Sequence, residues 1–355
     1  MGLLLDLAGA LSSPRRLLLL SGIAFLAVWP WSASASSSTS YDAQIIKRHL
    51  LDIGGGRRLN IVCVGKGSPV VVFMQGGEGS ILKWRKVERP IASLTRVCFY
   101  DRAGFGWSDP PRGPVTALSE TNDLHTLLRR AHVPTPVILV GHSIGGFYAT
   151  VYADRFGSDV AGLVLVDPGF ATQINEKTAA QRKLDMDNSR VGEARLLNCA
   201  ALAKQGRMSL DNERGCIEFP KANTPDELAY YANMVTHPFW YEAEVDQSQN
   251  YFFGADGGPS VDQLQEQAVQ RSFGDMPLIA LTHSIGERET WWDDAAWQAF
   301  EENWKAGHER LAARSAIGKA IVVPGAEHYI QLSRPDAVIA AIGEVITDVR
   351  KADAK

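Results

Sequence analysis

Short apolar runs recur along the chain and alternate with stretches whose apolar residues repeat at the spacing of a helix. Each run is four to six residues long, the length of a buried strand, and the runs cover residues 59–64, 69–74, 96–100, 137–140, 162–166, 277–281 and 319–323. Residues 120–131 and 336–349 carry the helical spacing. Strands that alternate with helices predict an α/β fold, with a mostly parallel sheet flanked by helices on both faces.

The alternation breaks between residues 169 and 275. This stretch is polar and charged, has helical spacing, and carries aromatic clusters at 239–241 and 251–253. We therefore predict a mainly helical cap over 169–275, inserted into a core domain formed by 36–168 and 276–355. The aromatic clusters either pack the cap or form an apolar or aromatic binding surface.

The first 35 residues have the pattern of an export signal. The pair Arg15-Arg16 precedes an apolar run at 17–31, and a small-residue cleavage site ends at Ala35. A run of about 15 apolar residues is shorter than the roughly 20 that span a bilayer. We therefore predict a signal peptide over 1–35 and an exported protein, periplasmic or secreted, without a stable membrane anchor. An uncleaved anchor is the alternative.

Charge and cysteine content narrow the classes of function. The formal net charge of −4 shows no basic excess, so nucleic acid is not expected as a partner. Four cysteines in a chain predicted to be exported indicate disulfides, with three possible pairings, and none has the C-x-x-C spacing of zinc or redox sites. Cys199 and Cys216 lie in the polar cap, which lacks a large core, and we predict a disulfide between them.

The apolar run at 137–140 leads directly into a G-x-S-x-G sequence at 141–145, and small and apolar residues follow. A buried strand that turns sharply into a helix holds a serine hydroxyl exposed at the turn. Glycines flank the serine because larger side chains would meet the neighbouring backbone. This context argues against a chance match and predicts that Ser143 is a nucleophile.

A serine hydroxyl becomes a good nucleophile only when a base takes its proton, so Ser143 requires a histidine. His328 is the candidate, because it lies in the loop at 323–329 after the last strand, and catalytic groups gather at the carboxyl ends of parallel strands. Adjacent side chains diverge, which directs His142 away from the serine, and His308 is expected to be exposed on a helix. Other histidines precede the nucleophile strand or lie in the cap: His49, His125 and His237.

The base needs a carboxylate that holds its tautomer and stabilises its protonated form. Asp167 directly follows the strand predicted at 162–166, whereas the alternative, Glu287, lies in the loop after the strand at 277–281. A structural role for Asp167 as a turn residue before Pro168 also stays open. The chain order serine, aspartate, histidine is the one expected for this type of nucleophile turn.

Acyl transfer also needs hydrogen-bond donors for the oxyanion. The backbone N–H of Ile144, next to the nucleophile, is one candidate. The glycine-rich loop at 75–79 offers another, because glycines let backbone amides approach a substrate closely. We predict Gly77 as the donor there, with Gly76 less favoured. A plain turn is the structural alternative.

Four segments together make the chain resemble the α/β-hydrolase superfamily over nearly all of its predicted mature length: 75–77, 100–108, 141–146 and 325–329. Gln75 stands where that superfamily more often has histidine, which predicts a different bracing of the oxyanion loop. The resemblance implies an architectural role for residues 101–108. A serine nucleophile argues against the dehalogenase and epoxide-hydrolase branches, which use aspartate, and against the cysteine-dependent dienelactone hydrolases.

The resemblance also places the strand that carries Cys63 beside the strand that carries Cys98. This neighbourhood implies a second disulfide, and two buried free thiols are the alternative. No metal and no organic cofactor are implied.

These residues predict an exported serine hydrolase that cleaves carboxylic esters through an acyl-enzyme, with Ser143, Asp167 and His328 as its triad. The substrate is expected to be a small-molecule ester or lactone with an apolar or aromatic group. A lactone or carbon–carbon bond hydrolase with the same triad is a second hypothesis. A binding module on a retained fold is the non-enzymatic one.

Overall fold

The computed structural model describes residues 42–173, 177–210, 216, 224–254 and 258–354. The predicted signal segment, 1–35, lies outside these residues. Within them, no helix is both long and apolar enough to cross a bilayer.

In the described part of the chain, eight strands form one sheet in the order β1-β2-β4-β3-β5-β6-β7-β8. β2 pairs antiparallel with β1 and with β4, and the other neighbouring strands pair in parallel, which confirms the mostly parallel sheet. The strands are β1 Leu50–Gly54, β2 Arg57–Val64, β3 Val71–Met74, β4 Val97–Tyr100, β5 Val137–His142, β6 Val160–Val166, β7 Leu278–Thr282 and β8 Lys319–Val322.

All seven predicted runs are strands, whereas β1 is not among the predictions. β1 forms an edge hairpin with β2 and is only partly buried. Its stability therefore comes from pairing, which leaves a weak signal in the local hydrophobic pattern.

Helices lie before, between and after the strands: α1 Asp42–Ile45, α2 Arg85–Ala92, α3 Ala117–Arg130, α4 Ile144–Arg155, α5 Ala179–Lys204, α6 Pro225–Thr236, α7 Pro238–Tyr251, α8 Val261–Val269, α9 Asp294–Ala312, α10 Ile330–Ser333 and α11 Pro335–Asp353. The helical spacings at 120–131 and 336–349 correspond to α3 and α11. Short 3₁₀ helices cover Ile81–Trp84 and Gly157–Asp159.

The central strands divide their side chains between two apolar layers, because successive side chains of a strand point to opposite faces. On β3, Val71 and Phe73 pack on one face, and Val72 and Met74 pack on the other. Helices α2 and α11 cover the first face, and α3, α4 and α9 cover the second. Burial on both faces accounts for the continuous apolar runs of the central strands.

The insertion between β6 and β7 is helical, as predicted, and contains α5 to α8 among the described residues. Its last helix, α8, packs on α3 and α4 of the core. The Asp262 carboxylate accepts a hydrogen bond from the backbone N–H of Ala117 (2.6 Å), and the Gln265 side chain accepts one from Leu118 (2.9 Å). These bonds satisfy N–H groups at the start of α3 that have no partner inside the helix.

Two disulfides cross-link the described chain, and they are the two predicted ones. Cys63 and Cys98 face each other in the antiparallel pair β2–β4, with their Cα atoms 4.1 Å apart. Cys199, near the end of α5, is bonded to Cys216. Both thiols of each pair are oxidised, so the alternative of buried free thiols does not apply.

Replacing both Cys63 and Cys98 with alanine should lower the free energy of unfolding by about 3 to 4 kcal/mol, because the bond closes a separation of 35 residues in the unfolded chain. The alanine pair at Cys199 and Cys216, which are separated by 17 residues, should cost about 3 kcal/mol. Urea unfolding followed by tryptophan fluorescence measures both. A Cys63/Cys98 variant as stable as the native protein would contradict the expectation.

Candidate active site

Ser143 occupies the sharp turn between β5 and α4. Its backbone φ is +53°, in the left-handed region that is unusual for a residue with a side chain. The Ser143 N–H donates to the carbonyl of Val166 (3.1 Å), and its own carbonyl accepts hydrogen bonds from Gly146 and Gly169 (2.9 Å each). The surrounding backbone therefore holds the strained conformation in place.

Glycines make this turn possible, because larger residues would collide with neighbouring backbone. A Cβ atom on Gly145 would lie 2.3 Å from the carbonyl oxygen of Gln75, and one on Gly141 would lie 2.4 Å from the carbonyl oxygen of Gly145. The G-x-S-x-G pattern thus reflects how closely α4 approaches the ends of β3 and β5.

Asp167 lies directly after β6 and is fully buried, also at a positive φ of +45°. Its Oδ2 accepts hydrogen bonds from Nδ1 of His328 (2.6 Å) and from Nδ1 of His283 (2.7 Å). Its Oδ1 accepts from the backbone N–H of His283 and from the indole N–H of Trp304, each at 3.0 Å. Four donors therefore surround this carboxylate.

These hydrogen bonds determine the protonation states of Asp167 and His283. Burial alone would raise the pKa of Asp167, but the hydrogen bonds from His283 and His328 outweigh it and hold that pKa well below its usual range. Burial also disfavours the charged form of His283 and by itself would lower its pKa. Its hydrogen bonds to Asp167 and Glu301 instead raise that pKa to about 9. An unfolded histidine has a pKa of about 6.5, so the stability from His283 is fully present below that pH and is lost as the pH rises through about 9.

His328 and Ser143 line the same cavity. Since the Nδ1–H of His328 donates to Asp167, the neutral ring has its unprotonated nitrogen at Nε2. His283 differs, because its Nε2 is engaged by Glu301 at 3.0 Å. The predicted alternative acid, Glu287, lies exposed on the rim of the cavity, whereas the hydrogen bond from His328 goes to Asp167.

The prediction that His308 is exposed was wrong. His308 is fully buried on the inner face of α9, where its Nε2–H donates to the carbonyl of Pro168 (2.8 Å) and its Nδ1 accepts from the hydroxyl of Thr282 (2.7 Å). Burial lowers its pKa to about 4, so the ring is neutral. His142 donates its Nε2–H to the carbonyl of His328 (3.1 Å), and the two rings lie 4.8 Å apart.

Three residues around Asp167 were not predicted from the sequence: His283, Glu301 and Trp304. His283 directly follows β7, so the strand-end rule that selected Asp167 would have found it. Glu301, Trp304 and His308 recur at helical spacing along α9, which places them on one face of that helix. This spacing is the feature of the sequence that could have indicated that these side chains share one face of α9.

Arg102 shapes the glycine-rich loop after β3. Its buried guanidinium donates to the carbonyls of Gln75 (2.6 Å), Gly76 (3.0 Å) and Gly77 (3.0 Å). These bonds turn three consecutive carbonyls toward the arginine and so orient the peptide planes of the loop. The bracing expected to differ because of Gln75 thus comes from Arg102, within the segment given an architectural role.

The cavity beside Ser143 has a volume of about 420 Å³. Aromatic side chains from the end of α7, the loop before α9 and α9 itself form much of its wall: Tyr251, Phe252, Phe253, Trp291, Trp292, Phe300 and Trp304. On its polar side, Lys177 pairs with Asp185 at 2.7 Å, and the indole N–H groups of Trp291 and Trp292 both donate to that aspartate. Of the predicted cap aromatics, Trp240 and Tyr241 are instead buried in the packing.

Among the described residues, Asp167, His283 and His328 bring possible metal-ligand atoms within 4.8 Å of one another. The two N···O separations are 2.6 and 2.7 Å. Two ligands of one zinc ion at about 2 Å would lie about 3.3 Å apart. Hydrogen bonds therefore account for this convergence.

Residues 79–341, well over half of the chain, match the model of the Alpha/beta hydrolase family. The chain belongs to the alpha/beta hydrolase family. This confirms the resemblance carried by the serine turn and the histidine loop, and it supports a hydrolase activity.

The first curated relatives match shorter parts of the chain. A protein of Schizosaccharomyces pombe is 45% identical over 140 residues, which cover 32% of this chain and 26% of that protein. The chain spans about a fifth to a quarter of the length of the first curated relatives that it matches.

Solved structures resemble nearly the whole described chain. A thermophilic esterase from Thermogutta terrifontis matches with a TM-score of 0.52 and 18% identity, over 85% of this chain and 99% of the esterase. A haloalkane dehalogenase from Agrobacterium tumefaciens matches with a TM-score of 0.56 and 17% identity, over 85% of this chain and 97% of the dehalogenase. At these identities the likeness shows the fold alone.

Replacing glycine with alanine should have opposite effects at the crowded nucleophile turn and at an open position on α11. Gly145→Ala should destabilise the protein by about 2 kcal/mol or more, because its Cβ would overlap backbone carbonyls of β3 and the following loop. Gly343→Ala, on α11 with open space around it, should stabilise by up to about 1 kcal/mol. Thermal melting of both variants measures the signs. A Gly145→Ala variant that melts like the native protein would contradict the close approach.

Proposed function

We propose that this protein is an exported serine hydrolase that cleaves carboxylic esters through an acyl-enzyme. The observation that carries the proposal is the pairing of His328 with the buried Asp167 (2.6 Å) beside a cavity that also contains Ser143. Two disulfides are typical of an oxidising compartment and support export, together with the signal sequence predicted at 1–35.

In the first half of the reaction, Oγ of Ser143 attacks the ester carbonyl carbon while Nε2 of His328 takes its proton. The imidazolium is stabilised by the Asp167 carboxylate. Negative charge develops on the carbonyl oxygen, and the backbone N–H groups of Gly77 and Ile144 are the proposed donors to it. Ile144 is the first residue of α4, so its N–H has no acceptor within the helix.

The tetrahedral intermediate then collapses. The C–O bond to the alcohol breaks, and the alcohol leaves with the proton held by His328. In the second half, His328 removes a proton from water, which attacks the acyl carbon. The acid is released and Ser143 recovers its proton, so no metal or redox cofactor is needed to balance the reaction.

The cavity favours a small-molecule substrate with an apolar or aromatic group. Its volume of about 420 Å³ lies in the range of small-molecule pockets. Flat aromatic side chains such as Phe252, Phe253 and Trp292 offer stacking surfaces for such a group.

The substrate class is tested by assaying the mature protein on p-nitrophenyl esters of graded chain length and on p-nitrophenyl phenylacetate, in parallel with lactones. Ester turnover supports the proposal, and turnover restricted to lactones supports the second hypothesis. Labelling by a fluorophosphonate probe separates an enzyme from a binding module, because the probe needs an activated serine.

Ser143→Ala should abolish hydrolysis and probe labelling while the protein stays folded, because the hydroxyl acts in the reaction and not in packing. Ser143→Gly should be equally inactive but more stable by about 1 kcal/mol, since glycine relieves the strain at φ +53°. Turnover and thermal melting are measured on both variants. An alanine variant that keeps more than a few per cent of native turnover excludes Ser143 as the nucleophile.

Asp167→Asn should reduce kcat by on the order of 10⁴, because an amide favours the wrong histidine tautomer. The amide N–H would also face donors that now point at the carboxylate. Glu287→Gln should change kcat little, since Glu287 lies at the exposed rim. Steady-state kinetics on the best ester measures both, and the reverse ranking would assign the acid to Glu287.

A further inference from the structure

A second histidine is hydrogen-bonded to the Asp167 carboxylate and takes no part in the proposed reaction. His283 donates from Nδ1 to Oδ2 of Asp167 at 2.7 Å, the same oxygen that accepts from His328 at 2.6 Å. On its other side, Nε2 of His283 lies 3.0 Å from Oε1 of Glu301. The residue is 4% exposed and lies at the wall of the cavity.

This geometry fixes the protonation of His283. A carboxylate oxygen only accepts hydrogen bonds, so a ring nitrogen next to one must carry a proton. Both nitrogens of His283 face carboxylates, and the ring is therefore a doubly protonated imidazolium. The pKa of His283, raised to about 9, agrees with this assignment.

Parallel pairing brings His283 to this position. β6 and β7 run side by side with Val166 opposite Leu281, so their carboxyl ends meet, and Asp167 and His283 both follow those ends. The backbone N–H of His283 also donates to Oδ1 of Asp167 at 3.0 Å. One residue thus holds both oxygens of the carboxylate.

The cluster around Asp167 contains groups of opposite charge. With Asp167 and Glu301 negative, His283 positive and His328 neutral, the net charge is −1, and it becomes 0 when His328 takes the proton of the serine. Three other titratable groups face the cluster: His308 on α9 and His142 at the end of β5, which burial keeps neutral, and Lys305 on α9, whose Nζ lies 4.0 Å from Glu301.

We propose that His283, anchored by Glu301, is a positioning residue that holds Asp167 in place and whose positive charge offsets part of the negative charge that faces His328. This inference rests on the proposed function for the role of His328. The charge state of His283 itself is a property of the resting protein and does not depend on turnover.

The first test is NMR of the mature protein with ¹⁵N-labelled histidine, assigned with His283→Gln. The His283 ring should carry protons on both nitrogens at pH 7 and titrate near pH 9 in the native protein. Glu301→Gln should lower that titration by about one pH unit or more. Glu302→Gln, the same change at the exposed neighbour on α9, should leave it unchanged.

The second test is the pH dependence of kcat/KM on the best ester. His283→Gln should move the acid limb to higher pH by about one unit, because removing the cation strengthens the attraction of Asp167 and Glu301 for a proton on His328. The double variant His283→Gln/Glu301→Gln restores the net charge of −1, so its limb should return part of the way.

The two tests separate the two proposals. A neutral His283 ring at pH 7 in the native protein, or a titration that Glu301→Gln does not move, overturns the inference whether or not esters are cleaved. An acid limb that stays in place in His283→Gln, or that moves further in the double variant, overturns the effect of charge on the base. Absent ester hydrolysis with a doubly protonated His283 overturns the proposed function and the role of His328 alone.

Discussion

A carboxylate that is fully buried stays charged only when hydrogen-bond donors replace the water it has lost. Asp167 meets this requirement with four donors, and they come from three separate parts of the chain: His283 after β7, Trp304 on α9 and His328 after β8. Satisfying one charge therefore fixes the relative positions of these parts. The histidine beside the serine is oriented as a consequence.

Backbone strain is concentrated at the same place. Ser143 and Asp167 both have positive φ and follow neighbouring parallel strands. Hydrogen bonds between the two turns, from Ser143 to Val166 and from Gly169 to Ser143, tie them together. Strain of this kind persists only where the surroundings determine the conformation, and here the paired strands and the close approach of α4 do so.

The insertion completes the wall of the cavity. Its long helix α5 is mostly polar on the surface and buries few residues, and the Cys199–Cys216 bond cross-links it to the chain that follows. The insertion contributes aromatic side chains from the end of α7, opposite those around α9, and polar side chains such as Lys177 and Asp185 at and before the start of α5. The ends of core strands thus hold Ser143 and Asp167, while the insertion and the loop before α9 form much of the cavity wall.

Local sequence determined the strands buried on both faces, the helical insertion, the serine turn and the residues that follow strand ends. In each case the signal lies within a few neighbouring residues: apolar runs need burial on both faces, and G-x-S-x-G needs a turn without side chains. The hypothesis that Ser143, Asp167 and His328 act together also came from such local signals. The strand β1 escaped prediction because it lacks an apolar run and depends on pairing with β2, whereas the other edge strand, β8, has such a run and was predicted.

Only the tertiary structure decided which distant groups share Asp167. His283, Glu301 and Trp304 lie more than a hundred residues away from it along the chain, and no local pattern states which side of α9 faces the end of β6. The same holds for His308, which is buried because it lies on the face of α9 that packs against the sheet. The charge of a buried group depends on what surrounds it in space, and packing between elements determines those surroundings.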